Sequence, residues 1–167
     1  MTNADRQAAV QAVLDSMTAD QRSYFDCEIR SMNSHFPDAV MGVLESTGEL
    51  YWLVPADIPV GQAGTWMLMV IYGKPGDDAP GYGNKLDFAF RVLPLKPDLD
   101  TLKRRAHEAG RGPVPHIWMH APSGCACLDI ATRQSCVTSA VSAAAHAIRW
   151  CVHYEAGLLD QAVWNRF

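Results

Sequence analysis

The chain reads as an α+β domain, a four-stranded antiparallel meander flanked by an N-terminal helix and a long C-terminal helix. Three observations predict this plan. Apolar residues recur at helical spacing near the start, four segments through the middle carry extended patterning, and an alanine-rich stretch near the end returns to the helical period.

In "ADRQAAVQAVLDSM", Ala9, Val10, Val13, Leu14 and Met17 make one helical stripe. This stripe is either a separate helix or an extension of the next one; Thr18 and Gln21, in capping-box spacing, favour a break there and two pieces. Behind that cap, Tyr24, Phe25, Ile29 and Met32 form the apolar face of the second piece. From Pro37 the period becomes extended: "DAVMGVLE", a turn at Gly48, then "ELYWLVP", in which Leu50, Trp52 and Val54 alternate against Tyr51 and Leu53, predict a hairpin. "TWMLMVIY" is apolar on both faces, as a central strand covered on two sides would be. The turn-rich "GKPGDDAPGYGN" leads into "KLDFAFRVLP", where Leu86, Phe88, Phe90 and Val92 alternate as a fourth strand.

Asp98 or Asp100 caps a short helix in "LDTLKRRAHEAG" that Gly110 stops. Its basic cluster, Leu102 to Arg111, is either a solvated helix face or a docking face for an acidic partner. "GPVPHIWMHAPSG" is mostly extended and punctuated by proline. "CVTSAVSAAAHAIRWCVHYEAG" is the long helix with Gly157 as its candidate C-cap, and "LLDQAVWNRF" adds a further helical turn.

Residues 1–167 are expected to form a single domain, because this length with 49% hydrophobic residues suffices for one core. The net charge of −4 gives no general electrostatic reason to bind nucleic acid or an anionic membrane. Asp5 and Asp15 interrupt the first segment, unlike a signal peptide, and no run of about 18 apolar residues occurs. The expectation is a cytoplasmic protein. Cys27, Cys125, Cys127, Cys136 and Cys151 are odd in number, which argues against a disulfide framework.

The segment with the most chemistry is "SGCACLDI", Ser123 to Ile130. A metal could draw on Cys125, Cys127 and Cys136 with His116, His120 or His146, but a C-x-C pair has little room to wrap an ion and no second cysteine pair exists. A redox pair would want C-x-x-C at a helix start, one residue more than is present. A single nucleophile fits better, since a thiolate can hold an acyl group as a thioester for transfer to an amine. "HAPSG" supplies irregular backbone, His120 a hydrogen-bond donor, and Gly124 close approach of a partner's backbone. Against these stands the plain alternative that Cys125 and Cys127 are small buried hydrophobes. Trp52, Trp66 and Trp118 read as core.

"GCACLDI" resembles the active-site signature of ubiquitin-conjugating enzymes, a glycine three residues before the catalytic cysteine followed by Cys-Leu-Asp-Ile. The match registers Gly124, Cys127, Leu128, Asp129 and Ile130, and it places the nucleophile at Cys127. A helix ending near "HFP", a hairpin with "GELYW", the loop "VPADIPVGQAGTW", a polar proline-rich turn, a fourth strand, the cysteine segment and a long helix follow in the family's order, over roughly residues 19–156. The family's His-Pro-Asn tripeptide is absent, "WMHAPSG" offering His120 in place of its histidine. The family's Trp-Ser-Pro type segment is also missing. These departures are similar to the divergent bacterial members, found in antiphage operons built on cyclic-oligonucleotide signalling and in ubiquitin-like modification operons.

The resemblance implies a UBC-like fold and a cysteine transferase without cofactor or metal. Its partners would be the C-terminus of a cGAS-like nucleotidyltransferase or of a ubiquitin-like modifier, an acceptor protein, and in some systems an activating enzyme. His120 would stabilise the oxyanion, with backbone N–H groups around Cys127 as the alternative. Asp129 would orient the acceptor amine or lower its pKa, or else cap the turn after the nucleophile. Cys125 would be a second acceptor, an oxidative partner or a bystander, and His116 and His120 have the alternative of simple loop polar residues. A non-catalytic binding module of the same fold is the rival from another class.

Overall fold

The computed structural model describes residues 2–61, 64–72, 90–120, 125–128 and 139–167, with backbone only for 118–120 and 125–126. The elements, in chain order, are α1 (Asn3–Asp15), α2 (Ala19–His35), β1 (Val40–Val43), β2 (Leu50–Asp57), β3 (Thr65–Tyr72), β4 (Phe90–Lys96), α3 (Leu99–Glu108), β5 (Ile117–His120), β6 (Cys125–Leu128), α4 (Ala140–Leu159) and α5 (Gln161–Trp164). The fold is α+β, with a four-stranded antiparallel sheet ordered β1-β2-β3-β4 and helices at both ends.

The break at Thr18 is real. Its hydroxyl accepts from the Gln21 N–H while the Gln21 side chain accepts from the Thr18 N–H, so two otherwise orphaned donors at the start of α2 are satisfied reciprocally. Thr2 and Asp5 form a second capping box that starts α1, which the sequence reading did not find. Gly48, at φ 72°, makes the turn between β1 and β2, a left-handed conformation that favours glycine. Pro55 falls beyond the residues of β2 that pair with β1, where a missing N–H breaks no ladder on that side.

One face of the sheet carries Trp52, Val54, Trp66, Leu68, Val70 and Val92, each at most 2% exposed. Helices α2 and α4 cover it: Phe25 stacks on Trp52 with centroids 6.3 Å apart, and Trp150 meets Trp66 edge-on at 6.4 Å. The expectation that β3 is covered on both faces holds only in part. Met67 and Met69, on the face away from these helices, are half-buried among the described residues, because α2 and α4 both lie on the other side. Of the predicted fourth strand, Phe90 and Val92 alternate inward as expected, while Leu86 and Phe88 and the turn "GKPGDDAPGYGN" lie outside the described residues. Between them Arg91 is also buried, its guanidinium bonded to both Glu49 oxygens at 2.9 and 3.0 Å.

Asp98 is the cap of α3, accepting from the Thr101 N–H, and Gly110 at φ 67° follows its end. The basic cluster there is engaged internally. Arg105 grips both oxygens of Glu155 on α4, and Arg111 donates to the carbonyls of Gly157 and Leu158. Arg104 pairs with Glu108 and Lys103 with Asp100 along the helix itself.

Gly157 is not the C-cap of α4. The helix runs on to Leu159 and Asp160 caps it, because the space beside Gly157 is filled by the Trp164 ring of α5 folded back against it. Glycine serves there for close approach between elements rather than for a helix stop. Among the described residues, no helix is long and apolar enough to cross a membrane.

Candidate active site around Cys127

The segment after α3 turns at His116, whose φ of 52° is left-handed, and leads into the β5–β6 hairpin. Two contacts hold His116 there: its Nε2 bonds the Phe167 carbonyl, and its ring stacks on that of Phe167 with centroids 5.7 Å apart. A carbonyl only accepts, so Nε2 carries the proton. His116 thus fixes the start of β5 against the end of the chain.

In the hairpin, Ile117 pairs with Leu128, Trp118 with Cys127, Met119 with Ala126 and His120 with Cys125. The candidate oxyanion donor, His120, therefore stands directly opposite Cys125 and diagonal to Cys127. Such diagonal positions lie roughly 7–8 Å apart in a regular ladder, within reach of a ring side chain. The side chains of His120, Trp118 and Cys125 are outside the described residues, as are Gly124, Asp129, Ile130 and Cys136. The arrangement brings the predicted nucleophile and the predicted donor onto paired strands.

Cys127 is 0% exposed, and so is its neighbour Leu128. The two are buried differently: Leu128 belongs to the continuous hydrophobic core, whereas Cys127 lies outside that cluster of described residues. β6 runs against β4, which anchors the hairpin to the main sheet. A nucleophile that meets a protein chain end needs exposure, and in this state the Cys127 thiol has none. Of the other cysteines, Cys27 is exposed and Cys151 buried, and neither they nor Cys127 form a disulfide. Burial, with the Glu155 charge beside it, pushes the Cys151 thiol pKa well up and keeps it protonated.

The chain returns to described structure at Ser139, whose hydroxyl caps α4 by accepting from the Ser142 N–H at 3.1 Å. Glu28, reaching over from α2, accepts from the Ala140 N–H at 2.7 Å and is 6% exposed. Burial raises its carboxyl above the usual range, opposed by the bonds from the Ala140 N–H and the Tyr24 hydroxyl. Tyr24 is raised in turn, by burial first and then by the charge of Glu28. The sequence reading missed Glu28. Its signal was a lone carboxylate three residues after Phe25 and four before Met32, on the apolar stripe of α2.

Among the described residues, no three His, Cys, Asp or Glu side chains group as a metal site would require. Compared with known proteins, the chain matches no family model, no curated protein and no solved structure.

Proposed function

We propose that the protein is a ubiquitin-conjugating-enzyme-like cysteine transferase of UBC-like fold, working in bacterial antiphage defence or ubiquitin-like modification. The observation that supports this most is the position of the signature. Gly124-x-x-Cys127-Leu128-Asp129-Ile130 falls on and around β6, after a four-stranded meander and before the long α4, in the order that the resemblance requires.

In this reading the Cys127 sulfur attacks the C-terminal carbonyl of a partner protein held as a thioester on an activating enzyme. The new S–C bond forms as the activating enzyme's thiolate leaves. An acceptor amine then attacks, the amide bond forms, the Cys127 thiolate is released and the amine's proton passes to solvent. His120 donates to the oxyanion in both tetrahedral intermediates, and Asp129 orients the amine. Since Cys127 is 0% exposed in the isolated chain, the reading requires that partner docking uncover it. The same burial is the observation that favours the rival, a binding module that uses the fold without the thiol.

The test is expression with the neighbouring genes, followed by intact-mass analysis of the wild type, Cys127→Ser, Cys127→Ala and Cys125→Ala. The expected result is a thiol-sensitive adduct on the wild type, a thiol-resistant ester on Cys127→Ser and nothing on Cys127→Ala. Conjugation that survives Cys127→Ala and is lost in Cys125→Ala would overturn the assignment, and no adduct on any form would favour the binding module.

A further inference from the structure

β5 and β6 form a two-stranded sheet of their own, separate from the four-stranded one. Among the described elements β6 packs against β4, whereas β5 has its main contacts with β6 alone. Two strands by themselves are marginally stable in water, so β5 needs a second hold. Ile117, half-buried at the border of the core, supplies part of one.

The rest comes through His116, immediately before β5. Its φ of 52° is sparsely populated for a residue with a side chain, and such a conformation persists only where the surroundings impose it. Phe167 imposes it here: the His116 ring stacks on the Phe167 ring, and Nε2 donates to the Phe167 carbonyl. Phe167 is seated in turn on α4 and α5, edge-on to Trp150 at 5.5 Å and to His153 at 5.8 Å, and tilted against Trp164 at 6.3 Å. One half-buried residue, 51 positions away in sequence, thus holds the strained entry to β5 in place.

Cys127 is joined to this hold through the ladder. Ile117 pairs with Leu128 and Trp118 with Cys127, so the cysteine lies opposite the second residue of β5. Cys127 is fully buried, yet it is not part of the core cluster of described residues that includes Leu128. Its cover therefore depends on where the hairpin lies, and the hairpin depends on the His116 contact.

We propose that the His116–Phe167 clasp is a latch on Cys127. While Phe167 is seated, β5 stays down and the thiol stays covered. When docking draws Phe167 off its seat, the strain at His116 relaxes, β5 loosens from β6 and the thiol opens. That the opening serves acyl transfer rests on the reading of Cys127 given above, whereas the latch itself does not.

The test compares Phe167→Ala and His116→Gly with the wild type, all in a Cys125→Ser background, by maleimide labelling with fragment-ion mass spectrometry and by amide hydrogen exchange. The first variant removes the seated ring, and the second removes the imidazole and the backbone strain together. Both are expected to label Cys127 tenfold or more faster and to speed exchange of the β5 amides, with the Cys151 rate on α4 unchanged. If strain alone drove opening, glycine would slow the labelling instead, and that result would overturn the latch. So would a Cys127 rate that ignores Phe167→Ala, or Cys127 and Cys151 rates that rise together, which would report general loosening of the fold. Failure of the transferase reading is told apart from these, because a Cys127 that forms no adduct but whose labelling answers to Phe167 leaves the latch standing.

Discussion

Glu28 and Ala140 are 112 residues apart in sequence and joined by a 2.7 Å hydrogen bond in the fold. The carboxylate of α2 thereby caps the helix that follows the cysteine segment. Because burial raises the Glu28 pKa above its ordinary 4.5, the folded chain binds this proton more tightly than the unfolded one. The resulting stabilisation is full below pH 4.5 and is lost as pH rises through the folded pKa. Denaturant unfolding of Glu28→Gln, which keeps an oxygen acceptor but no titration, should therefore gain on the wild type as pH rises from 4.5 to 7.5. Glu28→Ala strands a buried N–H and should cost about 1–3 kcal/mol at any pH in that range. A wild-type-minus-Gln difference that is flat with pH would show that Glu28 does not titrate there.

Gly157→Ala tests two opposed effects at one residue. Helix propensity alone favours alanine in a helix interior by about 0.8–1.0 kcal/mol. A Cβ at this position, however, would lie 2.9 Å from Trp164 Cε3 and 3.3 Å from the Trp164 Cα. Overpacking of this kind costs about 1–3 kcal/mol, and the backbone contact cannot move without shifting α5. The expected net result is a loss of stability on thermal unfolding, and a gain would mean that α5 does not hold the position described.

The same glycine shows where sequence and structure part. Signals that act within a few residues were legible: the capping box of Thr18 with Gln21, the Gly48 turn, a cap at Asp98 or Asp100, of which the fold uses Asp98, and the alternation of Leu50, Trp52 and Val54. Gly157 was misread as a helix stop because its neighbour, Trp164, only reaches it once α5 has folded back. The pairing of β5 with β6 was read as an irregular extended approach, since two four-residue strands carry too little alternation to announce a hairpin. At the candidate site, Cys127 and His120 could be named only through the resemblance of "GCACLDI" and "WMHAPSG" to the ubiquitin-conjugating signature, and the register that sets His120 opposite Cys125, the burial of Cys127 and the long-range bond of Glu28 all depend on tertiary packing.

Arg105→Ala should be among the most damaging single truncations. It removes the partner of Glu155, which is 1% exposed and accepts from Arg105 at 2.7 and 2.8 Å. Breaking a buried pair on one side costs about 3–5 kcal/mol, because the remaining charge is left without compensation. Replacing both, as Arg105→Met with Glu155→Leu, should recover much of that loss in a chemical-denaturation series. If the double variant is as unstable as Arg105→Ala, packing of the arginine stem rather than the stranded charge carries the effect. Gly61→Ala should damage the same pair from the other side, since Gly61 has φ 76° and an added Cβ would run into the Glu155 carboxylate.

Thiol labelling of the isolated chain reads the burial of Cys127 directly. With a small maleimide at neutral pH, Cys27, which is exposed, should react first. Cys127 and Cys151 are each 0% exposed and should react only through local opening, on the order of 100-fold or more slowly. Cys151 has the further handicap of a raised pKa, so raising the pH should not bring it level with Cys27. Fragment-ion mass spectrometry in a Cys125→Ser background assigns the modified position. Labelling of Cys127 at the rate of Cys27 would show that the thiol is open without a partner, and the uncovering step required above would then fall away. Slow labelling that accelerates when the neighbouring gene products are added, with Cys151 unchanged as the internal control, is the expected outcome for a nucleophile exposed by docking.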